Sequence, residues 1–190
     1  MKLLSIYTAL FFLSACGQEY TQIDTDARVT ESRVAIKEFA GLLKGELQTA
    51  MKSDGPVNAI EVCQLKAPSI ASDISKKKGW QVTRTSLKTR NPANNPDFWE
   101  RMVLKRFDEQ KLQDIDAKQL EHYAVVEEND LAKFRYMKAI PTVGVCMNCH
   151  GVTLAPEVAQ KIEKLYPNDQ ATGYKPGDIR GAFSITQTIR

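Results

Sequence analysis

Between Val34 and Met51 the apolar residues Ile36, Phe39, Ala40, Leu43, Leu47, Ala50 and Met51 recur at helical spacing, and Asp54-Gly55-Pro56 closes the run. The spacing predicts an amphipathic helix. A second apolar face follows, Ile60, Cys63, Ala67, Ile70 and Ile74, with Pro68 inside it and Gly79 behind it. Proline removes one N–H from a helical ladder and crowds the carbonyl four residues earlier, so a kink or break near Leu65 is expected. The period then changes. Gln81 to Leu87 alternates and is rich in Val and Thr, as a strand with one exposed face would be. Arg90 to Asn95 reads as a loop, and Pro96 as a first helical position capped by Asn95, with Asp97 and Glu100 in the first turn. That helix carries Phe98, Trp99, Met102, Val103 and Phe107. His122 to Val126 and Phe134 to Val143 predict two strands joined by a polar turn at Glu127 to Asp130. A short helix is expected at residues 146–150, a further helix over Pro156 to Tyr166, a loop over Pro167 to Asp178 and a last strand over Gly181 to Ile189. Helices first, then strands interrupted by helices, predict an α+β domain. There is no internal repeat and no low-complexity segment.

The N-terminus changes the picture. Lys2 precedes an apolar run, Leu3 to Leu13, that is too short to span a bilayer and ends in Leu13-Ser14-Ala15-Cys16. Small residues before a cysteine at this place resemble a bacterial lipobox, in which Cys16 is lipidated and becomes the mature end. The expected organisation is therefore a signal peptide over 1–15, a lipid anchor and polar tether over 16–30, and a single domain over 31–190. The protein would be exported and lipid-anchored on the periplasmic side of a bacterial membrane, with Gly17 after the cysteine favouring the outer membrane. Composition excludes one partner class. With 26 Lys and Arg against 23 Asp and Glu, the formal charge is +3 and dispersed; nucleic-acid binding needs a concentrated basic face. Lys76-Lys77-Lys78 is the densest positive run, and it sits at an expected helix C-terminus, where cations complement the helix dipole.

Export invites a disulfide reading of cysteines, but the four here divide otherwise. Cys16 belongs to the lipobox, and Cys146 and Cys149 belong to the run Cys146-Met147-Asn148-Cys149-His150, leaving Cys63 without a thiol to pair with. The five-residue run meets the demands of covalent haem attachment. Two thiols one helical turn apart can add to the two vinyl groups of a porphyrin, and the histidine that follows can reach the iron. A thioredoxin-like reading would need a βαβ setting, and a zinc site would need more ligands than the isolated Cys63 and His122 can provide. The expected cofactor is one covalent haem c held by Cys146, Cys149 and His150. For the second axial position the residues alone leave Cys63, Met51, Met102, Met137, His122 or an open site. Met51 and Met102 fall on apolar helical faces and read as core, while His122 reads as solvated beside Glu121.

Several segments in order carry a resemblance. They are Ala59 to Cys63 with Ala67-Pro68, Arg84-Thr85-Ser86 with Arg90-Asn91-Pro92, Asn95-Pro96, Trp99-Glu100, Cys146 to Gly151 and Gly177 to Ser184. Together they resemble the PAS-like c-type haem family, whose members include a soluble cyanobacterial haem protein and the periplasmic sensor regions of membrane histidine kinases. The resemblance implies a five-stranded antiparallel PAS-like sheet with N-terminal helices, a haem-carrying helix near the C-terminus, and iron held by His150 and Cys63. A thiolate ligand would favour ferric iron and a low potential. Arg84, Arg90 and Arg180 are candidate partners for the haem propionates, because arginine pairs with carboxylates in bidentate fashion; read alone each is a surface or loop charge, and the family segment puts Arg90 forward. The expected role is electron transfer with a redox partner protein, the alternative being a redox or diatomic-gas sensor that signals through a partner. No enzymatic role and no catalytic residue are expected, since no positioned acid–base pair is visible and a Cys63 ligand would close the iron face.

Overall fold

The computed structural model describes residues 24–189. The leader over 1–15 and the lipidation position Cys16 lie outside the described residues. Helix α1 spans Thr25–Ser53 and begins where it does because the Asp24 carboxylate accepts from the Ala27 N–H at 2.9 Å. This start falls inside the segment 16–30 expected to be tether. The correction has a packing cause: Val29 and Ser32 are buried against the sheet, Arg28 donates to Gln187 at 2.7 Å, and Gln187 donates to Ser32 at 3.1 Å. Residues 24–30 are therefore part of the fold.

Pro68 bends the ladder without ending it. Helix α2 (Gly55–Glu61) runs through a π-helical turn at Val62–Lys66 into α3 (Ala67–Lys78). The Ala67 N–H reaches back five residues to the Val62 carbonyl. The wider turn leaves room for the pyrrolidine ring, and it carries Cys63. Gly79 closes α3 with φ of 70°, a left-handed cap that costs glycine little.

The strands β1 (Gln81–Thr85), β2 (Glu121–Glu128), β3 (Leu131–Pro141) and β4 (Ile179–Thr188) form an antiparallel sheet in the order β1-β4-β3-β2. Among the described residues it has four strands, one fewer than the resemblance implies. The architecture is α+β and PAS-like. Alternation along β3 and β4 sends Phe134, Tyr136, Phe183 and Ile185 toward α1 and α3, where Phe39 meets Phe183 edge-on at 5.2 Å. The opposite pleat, with Met137, Ala139 and Ala182, packs on α4 (Phe98–Leu112) through Val103, Leu104 and Phe107. Each fully buried side chain of this size contributes about 1.5–3 kcal/mol. Helix α4 is capped by Asp97, not Asn95, because Asp97 and Glu100 satisfy two orphan donors reciprocally in a capping box. At β4, Gly181 has φ of 154°, and a Cβ there would overlap the carbonyl of Thr85 on β1.

A third apolar cluster joins the remaining elements. Ile60 of α2 packs with Val158 and Ile162 of α6 (Pro156–Leu165), with Tyr166, and with Cys149 of the four-residue helix α5 (Met147–His150). This cluster brings the arm carrying Cys63 against the Cys-x-x-Cys-His run. No described helix is long and apolar enough to cross a membrane.

Candidate functional site

Cys146 ends a short 3-10 turn (Gly144–Cys146) and Cys149 lies one turn later in α5, so both thiols fall on one side of the helical segment. Cys63, Cys146 and Cys149 are all unpaired and partly buried. Burial pushes the Cys149 thiol up, with the Arg90 guanidinium acting against it and the neighbouring Cys63 and Cys146 sulfurs adding to it. The Cys149 thiol is therefore kept in its protonated form at neutral pH.

His150 is held more tightly than its sequence position suggests. Its Nδ1 lies 2.7 Å from the carbonyl of Ala171. A carbonyl only accepts, so Nδ1 carries the proton and Nε2 keeps its lone pair. Burial first, then the neighbouring Arg180 and Arg90, push the imidazole down to about 2, and the Ala171 carbonyl only partly opposes them. The ring is therefore neutral, the form that binds a transition metal. Tyr174 stands edge-on to it with centroids 6.4 Å apart. The Tyr174 N–H donates to the His150 carbonyl at 3.0 Å, and the Gly173 N–H to Gly151 at 2.9 Å. The loop before β4 is thereby stitched along the run.

Three arginines surround this histidine, and their partners differ. Arg90 is buried and makes a two-pronged ion pair with Asp169, at 3.1 and 3.0 Å. Its Nη2 also donates to the Cys149 carbonyl at 2.6 Å and toward Ala171 at 3.4 Å. Arg84, on β1, has no ion-pair partner among the described residues; its guanidinium lies over the Phe39 ring at 5.8 Å. Burial pulls its pKa down, with Cys63 opposing and Arg180 adding to the fall. Arg180, on β4, donates to Ser86 and the Lys88 carbonyl and lies 5.3 Å over Tyr174, while its buried Nε has no partner among the described residues. Burial lowers it as well. Two half-buried cations without counterions among the described residues are costly, so this neighbourhood suits an anion. The charge of Cys63 reaches Arg84, Cys149 and Tyr166, which puts it in the same neighbourhood.

The residues present fit a haem. They offer paired thiols, an imidazole with Nε2 available, a third thiol on the facing arm, and two uncompensated arginines for propionates. Among the described residues no three His, Cys, Asp or Glu side chains gather as a bare metal ion would require. Arg90, named from the sequence as a cofactor-binding residue, is at the site, but its fork is engaged by Asp169; the guanidiniums without an ion-pair partner among the described residues are Arg84 and Arg180. Of the other ligand candidates, Met137 is fully buried in the α4 cluster and Met102 is half exposed rather than core. His122 is not simply solvated: it stacks on Trp99 at 5.8 Å, and burial lowers its pKa. A cavity of about 310 Å³ lies beyond Tyr174, against Leu104, Asp108 and Ile179, and contains none of the cysteines or His150; the thiol and imidazole chemistry, not cavity size, marks the site. The residues missed in the sequence are Asp169, Ala171 and Tyr174, which sit in a loop of no periodic pattern.

Residues 17–188 match the Tll0287-like family. The chain belongs to that family. Among solved structures it is similar to one described as the crystal structure of the cyanobacterial heme-protein Tll0287, with a TM-score of 0.67 and 24% identity, over 86% of this chain and 96% of that one. No curated protein matches. At this identity the likeness to Tll0287 establishes the fold of the new family member.

Proposed function

We propose that this Tll0287-like protein is a single-haem c-type protein, carried on the periplasmic side of a bacterial membrane by a lipid on Cys16, that works in electron transfer. The observation that carries the reading is the neutral, Nδ1-protonated His150, adjacent to two thiols one turn apart and ringed by arginines of which two have no ion-pair partner among the described residues. The similar structure is that of a haem protein, which supports the same cofactor here. Cys146 and Cys149 would hold the porphyrin edge through thioether bonds, His150 would ligate iron through Nε2, and Cys63 would supply a second iron ligand. Arg84 and Arg180 would face the propionates, and Arg90 would hold the attachment segment in place. When bound, the haem supplies a one-electron redox centre. The protein residues set its potential: an anionic Cys63 sulfur stabilises ferric iron, whereas the two arginines favour the reduced, less positive state.

The π-helical turn around Cys63 favours a second reading, a redox or gas sensor. Such turns recur at functional sites, and an arm interrupted there can move when its thiolate protonates on reduction. The test compares matured wild-type protein with Cys63→Ser in ferric and ferrous states, with and without CO. The carrier reading expects a changed ferric spectrum and a raised potential in Cys63→Ser, and rapid electron self-exchange without CO binding to ferrous wild type. Tight CO binding with loss of the Cys63 ligand would favour the sensor, and an unchanged spectrum and potential in Cys63→Ser would remove Cys63 from the iron.

A further inference from the structure

We propose that Asp169, acting through Arg90 and the Ala171 peptide, is the positioning residue that locks His150 with its proton on Nδ1 and Nε2 turned out as the ligand atom. The inference rests on the haem reading for its purpose, but its geometry stands without it. Asp169 and Arg90 are both buried, with side chains 9% and 8% exposed. The Asp169 carboxylate does two things at once. One oxygen, Oδ1, accepts from Arg90 Nε at 3.1 Å and from the Ala171 N–H at 2.9 Å. The other, Oδ2, accepts from Arg90 Nη2 at 3.0 Å. That same Nη2 donates to the carbonyl of Cys149, the residue before His150, and leans toward the carbonyl of Ala171, which accepts from His150.

Ala171 is thus held through both of its flanking peptide groups, its N–H by Asp169 and its carbonyl by His150 and Arg90. One guanidinium joins the segment that bears the histidine to the segment that bears its acceptor. The Thr89 carbonyl, next to Arg90, also accepts from the Gln170 N–H at 3.0 Å, so the latch is tied to the loop along its length. The partner of a histidine's remote nitrogen decides which nitrogen is presented to a metal and how basic it is. Here that partner is a carbonyl in a loop between α6 and β4, which has no helix or strand of its own to hold it. Arg90 alone could sit there as a charge. The two-pronged pairing, with the carbonyl contact at right reach, requires the planar fork, which lysine lacks.

The test uses the full-length protein produced without haem maturation, so that Nε2 is free of metal, labelled with 15N-histidine; the sequence has only two histidines, and His122→Gln assigns the signals. Wild type is expected to show His150 protonated at Nδ1, with slow exchange of that proton. Arg90→Lys, which keeps the charge, and Asp169→Asn are each expected to give mixed tautomers and at least a tenfold faster exchange while the far-ultraviolet circular dichroism is unchanged; Asp169→Glu should restore part of the protection. In matured protein, Arg90→Lys should raise the ratio of reduced to oxidised haem at fixed potential at least threefold, because an imidazole that loses its acceptor donates less charge to iron. Folded variants with wild-type tautomer, exchange and ratio would overturn the proposal, and so would loss of fold in both Arg90→Lys and Asp169→Asn, which would make the pair a structural ion pair only. Absence of covalent haem from wild type would remove the functional reading and leave the tautomer result standing, so the two failures are told apart.

Discussion

Replacing Arg84 by methionine should stabilise the haem-free protein, against the general rule that core-facing substitutions destabilise. The structure gives the sign. The Arg84 guanidinium is withdrawn from water beside Arg180 with no carboxylate paired to it, and burial already lowers its pKa. Removing such a charge recovers a desolvation cost that mutational data place at about 1–3 kcal/mol for a polar group, discounted here because the side chain is half-buried rather than fully enclosed. Against this stands the cation–π contact with Phe39, 5.8 Å away, which contributes about 0.5–1 kcal/mol. Methionine keeps an unbranched stem over the ring, so packing is largely retained. The net is a gain of about 1 kcal/mol, which for a domain of this size moves a urea midpoint by about 0.4 M. The assay is urea unfolding in a Cys146→Ser, Cys149→Ser background, followed by the same pair in matured protein. With haem bound the sign should reverse, since a propionate would then lose its partner. A loss of stability in the haem-free background, or the same gain in both backgrounds, would refute the assignment of Arg84 as an uncompensated cation awaiting an anion.

Three further outcomes follow from the fold. Gly181→Ala should cost about 2–4 kcal/mol in a urea titration, from backbone strain plus overlap of the new Cβ with Thr85; a cost under about 0.5 kcal/mol would mean that β4 and β1 can separate freely there. Phe39→Ala should cost about 3–5 kcal/mol, because Phe39 is wholly buried against Phe183. Glu121 is held down to about 2 from 4.5, chiefly by its hydrogen bonds from Arg33, with Tyr136 and Lys138 adding to them against a desolvation cost. A depressed folded value means stability that is present above the unfolded pKa and lost as pH falls through the folded one. The stability difference between wild type and Glu121→Gln should therefore be constant above pH 5, shrink from pH 4.5 toward 2, and be read from urea midpoints along that series; a difference independent of pH would contradict the pairing.

The sheet was legible in the sequence because Val- and Thr-rich or alternating runs at residues 81–87 and 181–189 and apolar runs bounded by a polar turn at 127–130 read as strands, although β3 and β4 are buried on both faces and do not alternate in burial. The Cys146 to His150 run was legible for a different reason: its chemistry is local, one turn of helix. Where partners are distant in the chain, the sequence was silent. Asp169 meets Arg90 across 79 residues, and the Ala171 carbonyl meets His150 across 21, with no periodic signal in the loop that carries them. The start of α1 was misplaced because a polar segment looks like tether until Val29 and Arg28 find the sheet. The Asp97 cap was readable, since Asp97 and Glu100 stand three apart, but Asn95-Pro96 offered a competing start. Arg84, Arg90 and Arg180 were visible as a trio; that two of them lack counterions depends on where Asp169 falls.

The central claim is that one haem is bonded to Cys146 and Cys149. The direct measurement is the intact mass, under denaturing conditions, of the chain expressed with cytochrome c maturation machinery. The expected result is an increase equal to one haem that survives denaturation and disappears in Cys146→Ala, Cys149→Ala. A chain whose mass is that of the polypeptide alone, or whose haem is extracted on unfolding, would contradict it.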